Sequence, residues 1–240
     1  MRRLGGTNLF GFSVGVLVLD TRFPRIPGDI GNAGTFDFPV LYRRVRGATS
    51  DRVVRHVDQE LLPLFVEGAR ALEAEGVQAI TTSCGFLARF QRELAASVKV
   101  PVFTSSLMLV PLVHRTLAPG RAVGIMTVDA SSLGPEHLAG AGITPDMAVV
   151  VAGLETEKEF TRVLLEDALA LDVDAARGEH VSVATRMVAQ HPEIGAIVLE
   201  CTNMPPYASD VQAATGLPVF DIRTLVRMFH AAVRDGLAPR

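Results

Sequence analysis

AITTSC (79–84) and AIVLEC (196–201) are two versions of one short run, and their agreement decides the fold. Each is short, opens on an apolar pair and is rich in β-branched residues, so each is predicted to be a buried strand that ends near a cysteine. Upstream, VGVLVLD (14–20) is echoed by VGIMTVD (123–129). Downstream, Cys84 stands 17 residues before Pro101 in VPVF, and Cys201 stands 17 residues before Pro218 in LPVF. Three matched landmarks in one order, with one shared cysteine-to-proline spacing, make an internal repeat.

Strands are predicted at 14–19, 79–82, 100–103, 123–128, 147–151, 194–199 and 217–220. Between them, 51–75, 88–97, 106–117, 157–169 and 173–190 carry apolar residues at helical spacing. Strands that alternate with helices predict parallel βα units, hence an α/β fold. The repeat divides the chain into halves at 1–120 and 121–240, with a C-terminal helix free to pack back on the first half. Ligands of parallel sheets bind at the carboxyl ends of strands, where both cysteines fall. A pseudo-twofold packing of the halves would bring the two thiols to opposite sides of one cleft.

Composition narrows the function. The net charge of −3 lacks the basic surface that nucleic acid or an anionic membrane would need. No apolar run approaches the roughly 18 residues of a membrane span. Arg2 and Arg3 ahead of LFGFSVGVLVL (9–19) imitate a signal peptide, but Ser13 interrupts the run and Asp20 ends it, so a first buried strand is expected. Two cysteines with no CxxC, and histidines scattered away from both, fit neither a disulfide scaffold nor a metal centre. No cofactor is expected, and the compartment expected is the cytoplasm.

Two matched thiols suit acid/base work on the two faces of one carbon. A thiol ordinarily titrates near pH 8.5, so a small downward shift makes a base. Backbone N–H groups and a helix dipole after each cysteine are expected to supply that shift. The same N–H groups, including that of Gly85, would hold a substrate carboxylate. Thr82, Ser83, Thr127, Thr202 and Asn203 are candidate binders, or equally caps of the turns they occupy. Asp20 is expected to bind the substrate and Asp129 to cap its loop. The turn-rich loop PGDIGNAGTFDF (27–38) is either a surface loop or a lid carrying Asp29 and Asn32 over the cleft. Glu200 is expected to turn away from Cys201 by strand alternation and to meet another polar group.

On TTSCGF (81–86), GIMTVDA (124–130) and ECTNMPPY (200–207), the chain resembles the aspartate/glutamate racemase superfamily over nearly its whole length. The superfamily holds amino-acid racemases, hydantoin racemases, maleate isomerases and arylmalonate decarboxylases. The resemblance implies two pseudo-symmetric flavodoxin-like lobes, an interlobe site, no cofactor, a small carboxylate substrate and a homodimer. It implies acid/base thiols at Cys84 and Cys201, with Thr202 and Asn203 on the carboxylate. Two departures stand out: Gly85-Phe86 replaces the polar pair after the first thiol of glutamate racemases, and Glu200 replaces the glycine before the second. Both thiols are present, unlike in the decarboxylases. The activity expected is therefore racemisation or epimerisation of an amino acid or derivative. Cis–trans isomerisation of an unsaturated diacid and non-catalytic binding of a small acid are the alternatives.

Overall fold

A computed structural model describes residues 6, 8–56 and 58–234, so Arg2 and Arg3 of the supposed leader lie outside the described residues. The first lobe runs β1 (Val14–Leu19), β2 (Val40–Val45), α1 (Ser50–Val54), α2 (Leu62–Ala74), β3 (Ala79–Thr82), α3 (Gln91–Ser97), β4 (Val102–Phe103) and α4 (Val110–Thr116). The second runs β5 (Ala122–Thr127), α5 (Pro135–Gly140), β6 (Val149–Gly153), α6 (Phe160–Leu165), α7 (Val173–Gln190), β7 (Ile194–Leu199), α8 (Ala208–Thr215) and β8 (Val219–Phe220), followed by α9 (Ile222–Arg234). The sheets have the orders β2-β1-β3-β4 and β6-β5-β7-β8, with every pairing parallel. The α/β class and the doubled architecture are as the repeat implies.

The repeated residues do repeated packing. Central parallel strands are covered on both faces, which is why β1, β5 and β7 are nearly unbroken apolar runs and β3 is a buried run of apolar and β-branched residues. Gly15 and Gly124 hold the same place in the two lobes. A Cβ on Gly15 would stand 3.0 Å from Leu72 of α2, and one on Gly124 would stand 2.8 Å from Met187 of α7. The glycine of each VG pair therefore lets one helix settle onto its sheet.

The expected long helices are shorter and more divided. The 51–75 segment splits into α1, a 3-10 turn at Gln59–Leu61 and α2. The 88–97 and 106–117 segments each start as 3-10 helix, at Gly85–Phe90 and Ser106–Leu109. Among the described residues, no helix is long and apolar enough to cross a membrane.

Two features join the lobes. Helix α9 returns to the first sheet, stacking Phe229 on Phe103 at 4.2 Å and placing His230 Nδ1 2.5 Å from Ser13 Oγ. Along the seam, Thr202 Oγ1 donates to the Ser83 carbonyl at 2.7 Å, Ser106 Oγ to the Leu199 carbonyl at 2.6 Å, and Ile30 N–H to the Thr202 carbonyl at 3.3 Å.

Candidate active site

Each cysteine lies two residues beyond its strand, Cys84 after β3 and Cys201 after β7. Both thiols are free, and both line one interlobe cavity. Leu19, Phe23, Val54, Phe86, Val128, Leu164 and Leu165 form its apolar walls. Ser50, Ser83, Gly85, Glu200 and Asn203 bring the polar atoms.

Burial, not a helix dipole, governs the thiols. Burial and then the charge of Glu200 push Cys84 up to about 12, against a Phe86 N–H and the more distant Arg25, which lower it. Burial and then Glu200 push Cys201 well above the usual thiol range, and the charges of Cys84 and Asp29 add to this. The expected downward shift is thus corrected. Each sulfur does receive one backbone N–H, from Phe86 or Asn203, but loss of water outweighs it. The helical element after Cys201 is only the three-residue turn Pro205–Tyr207, too short and too far to help.

Glu200 lies beyond the last residue of β7, so strand alternation no longer applies and the side chain does not turn away. It lines the cavity and is fully buried. Thr127 Oγ1 donates to its Oε2 at 2.8 Å, while Oε1 has no hydrogen-bond partner. Burial raises its carboxyl to about 8, with Thr127 opposing. A Cβ on Gly85 would stand 2.1 Å from Oε1. The glycine after Cys84 is therefore what admits the carboxyl beside both thiols. The two departures from glutamate racemases, at positions 85 and 200, are one packing unit.

The other expected residues divide into three groups. Ser83 and Asn203 reach the cavity. Ser83 Oγ accepts from Leu19 N–H at 3.0 Å, which leaves its own proton available to donate. Asn203 Oδ1 accepts from the Cys201 thiol at 3.5 Å, and its amide donates to Asp29 Oδ2 at 2.6 Å. Thr82, Thr127 and Thr202 are buried behind the site. Thr82 Oγ1 lies 2.7 Å from the Thr104 carbonyl and 2.9 Å from that of Cys84, so it shapes the turn. Thr127 serves Glu200, and Thr202 serves the seam.

Asp20 and Asn32 are the third group, and neither lines the cavity. Asp20 accepts from Gly47 N–H at 2.9 Å and pairs with Arg44 at 3.6 Å, so it closes the end of β2 instead of binding substrate. Asn32 donates to the Arg25 carbonyl and accepts from Gly34 N–H, so it folds its own loop. Asp129 does cap, accepting from the Ser131 and Ser132 hydroxyls.

Loop 27–38 is not an open lid. Asp29 is 2% exposed, tied to Arg25 Nη1 at 3.0 Å and to Asn203. Gly28, at φ +103°, lies where a Cβ would meet Pro206 Cα at 3.0 Å. Sequence reasoning missed Phe23, Ser50, Leu164 and Leu165, which reach the cavity from segments outside the repeat's matched runs. Glu200 carried a usable signal, as a charge set directly after the apolar run AIVL. Among the described residues, no three His, Cys, Asp or Glu side chains are grouped as a metal site.

The chain matches no protein-family profile. It is 36% identical over 220 residues to a dimethylsulfoniopropionate lyase of Durusdinium sp. clade D, covering 89% of this chain and 72% of that one. It is 34% identical over 232 residues to dimethylsulfoniopropionate lyase 7 of Emiliania huxleyi (strain CCMP1516), covering 93% and 67%. Among solved structures, allantoin racemase from Klebsiella pneumoniae superposes with a TM-score of 0.64 at 18% identity, over 95% of this chain and 90% of that one. Unliganded arylmalonate decarboxylase superposes at 0.58 and 20% identity, over 95% and 92%. The fold is thus that of the aspartate/glutamate racemase superfamily, and the chain is an enzyme. The expected amino-acid racemase activity is overturned, because the relatives that match most of the chain at 34–36% identity are lyases. The expectation failed at one step: two thiols on one cavity are necessary for two-face inversion but not peculiar to it.

Proposed function

We propose that this chain, which belongs to the dimethylsulfoniopropionate lyase family, is itself a lyase that releases dimethyl sulfide from dimethylsulfoniopropionate and leaves acrylate. Among the structural observations, the one that carries this reading is a free thiol pair on a largely apolar, partly aromatic cavity. The substrate bears a removable C–H next to its carboxylate and, on the adjacent carbon, a sulfonium that departs as a neutral thioether.

Cys84 is assigned as the base, since Arg25 favours its charge, while Cys201, which receives an equivalent backbone N–H, has more anionic neighbours. Its thiolate takes the proton beside the carboxylate. The C–H electron pair becomes the new C=C bond, and the C–S pair leaves with sulfur. Cys84 ends as a thiol and returns its proton to solvent. Charge developing on the carboxylate is met by the Ser83 hydroxyl, the Ser50 hydroxyl and the Cys201 thiol, whose proton turns from Asn203 Oδ1 to the substrate. The sulfonium faces Phe23 and Phe86, whose rings attract a cation where water is excluded. Once neutral, dimethyl sulfide suits the leucine and valine walls.

The test is to incubate the purified protein with dimethylsulfoniopropionate, measuring dimethyl sulfide by headspace gas chromatography and acrylate by proton NMR. Equimolar products, abolished by a thiol alkylator, are expected. Acrylate formation at the uncatalysed rate would overturn the assignment.

A further inference from the structure

The cavity holds three acids, Cys84, Cys201 and Glu200, and none of its lining side chains is Lys, Arg or His. Glu200 is fully buried, with Oε1 unpartnered and packed on Gly85. A buried carboxylate left half-satisfied is costly unless it is neutral or a cation arrives. The neighbouring charged groups do not provide that cation. Arg25 is held by Asp29 and Thr21, at 3.0 Å each. Asp29 is itself acidic. His137, edge-on to Phe86 at 5.1 Å, is kept toward its neutral form by burial.

We propose that Glu200 is the specificity-determining residue for the cationic end of the substrate: a sulfonium entering the cavity converts its buried carboxylic acid to a carboxylate. This rests on the lyase assignment and names what selects a sulfonium over a neutral group of the same shape. The carboxyl loses one proton to solvent as the cation binds, so the filled cavity carries one more negative charge than the empty one. Glu200 and Cys84 compete for that charge, and elimination proceeds from the fraction in which Cys84 carries it. The base is therefore generated only when a cationic substrate is present. Burial, which raises Glu200 to about 8, keeps the empty site protonated at neutral pH.

Two non-reacting isosteres separate charge from shape: 3-(trimethylammonio)propanoate and 4,4-dimethylpentanoate. Isothermal titration calorimetry near pH 7, in buffers of different ionisation enthalpy, gives both affinity and protons released. The native protein is expected to favour the cation by on the order of tenfold or more, releasing a fraction of a proton with the cation and none with the neutral isostere. Glu200→Gln should lose most of the preference and of the proton release, and Glu200→Asp should recover part of both. Should Glu200→Gln fail to fold, Thr127→Val, which strips Oε2 of its donor, should raise the carboxyl further and reduce proton release. A Glu200→Gln protein, or failing that a Thr127→Val protein, with undiminished cation preference and proton release would overturn the proposal. A native protein that prefers the cation and releases the proton, yet forms no dimethyl sulfide, would support the charge selection and overturn the lyase assignment. A native protein that forms dimethyl sulfide but binds both isosteres equally would overturn the charge selection alone.

Discussion

Cys84 receives the Phe86 N–H and has the Arg25 guanidinium close enough to favour its charge. Cys201, at the same position of the second lobe, also receives one backbone N–H and shares Glu200 as a neighbour, but it donates to Asn203 Oδ1, lacks the arginine and has Cys84 and Asp29 as further anionic neighbours. The scaffold is duplicated and the chemistry is not. A repeat places two equivalent atoms across a gap, while the neighbours outside the repeat decide which gives and which takes a proton. Inverting a carbon centre needs both thiols to serve as bases in turn. Elimination needs one base, and tolerates a second thiol that never ionises. The unequal surroundings fit the second requirement.

The sharpest way to break this comparison is to remove each sulfur in turn. Cys84→Ser should lower the rate of dimethyl sulfide release by about 10²–10⁴-fold, the usual contribution of a positioned base. Cys201→Ala, which leaves no donor there, should lower it by roughly 10–100-fold, the scale of one hydrogen bond to a charged group. Equal losses in a headspace assay would show that the thiols are equivalent after all.

A smaller effect is expected where the Cys201 side is held. Asn203→Ala frees the thiol and leaves Asp29 one donor short, at about 1–3 kcal/mol of stability. Chemical denaturation should register the loss, and mass spectrometry of partial alkylation should show Cys201 labelled faster relative to Cys84.

The residue after each thiol sharpens the contrast. Thr202 uses its side chain to bridge the lobes, whereas Gly85 has no room for one. Gly85→Ala must displace both the Glu200 carboxyl and the Glu200 backbone carbonyl, which would lie 2.4 Å from the new Cβ, so a cost of at least about 1–3 kcal/mol is expected in thermal melts.

The gentlest probe is pH. The Glu200 carboxyl is raised from 4.5 to about 8 on folding, so between those values the folded state holds a proton that the unfolded state has lost. The stability this confers is complete below about 4.5, declines as pH rises and is gone above about 8. Melting temperatures followed from pH 5 to 8 should fall less steeply in Glu200→Gln than in the native protein.

Much of the fold was legible because central parallel strands are buried runs of apolar and β-branched residues: β1, β3 and β7 begin and end where their residues predict. Strand β2 was not, because VLYRRV is an edge strand whose arginines are exposed and blur its pattern. The thiols were legible through the repeat. Glu200 was misread because a period of two was carried past the end of the strand. Phe23 and Leu164 reach the cavity through tertiary packing that no local spacing encodes. The reaction itself was not legible, since inversion and elimination begin with the same proton.

Helix α9 has a consequence during protein synthesis. Phe229 and His230 cover a sheet whose other parts were made more than a hundred residues earlier. The first lobe therefore leaves the ribosome with one face bare and waits through translation of the whole second lobe before it closes. Multidomain chains usually finish their amino-terminal unit first. Here the order is inverted: nascent chains stalled before Ile222 should remain open to protease in the first lobe, because a helix made after the second lobe completes the lobe that began first.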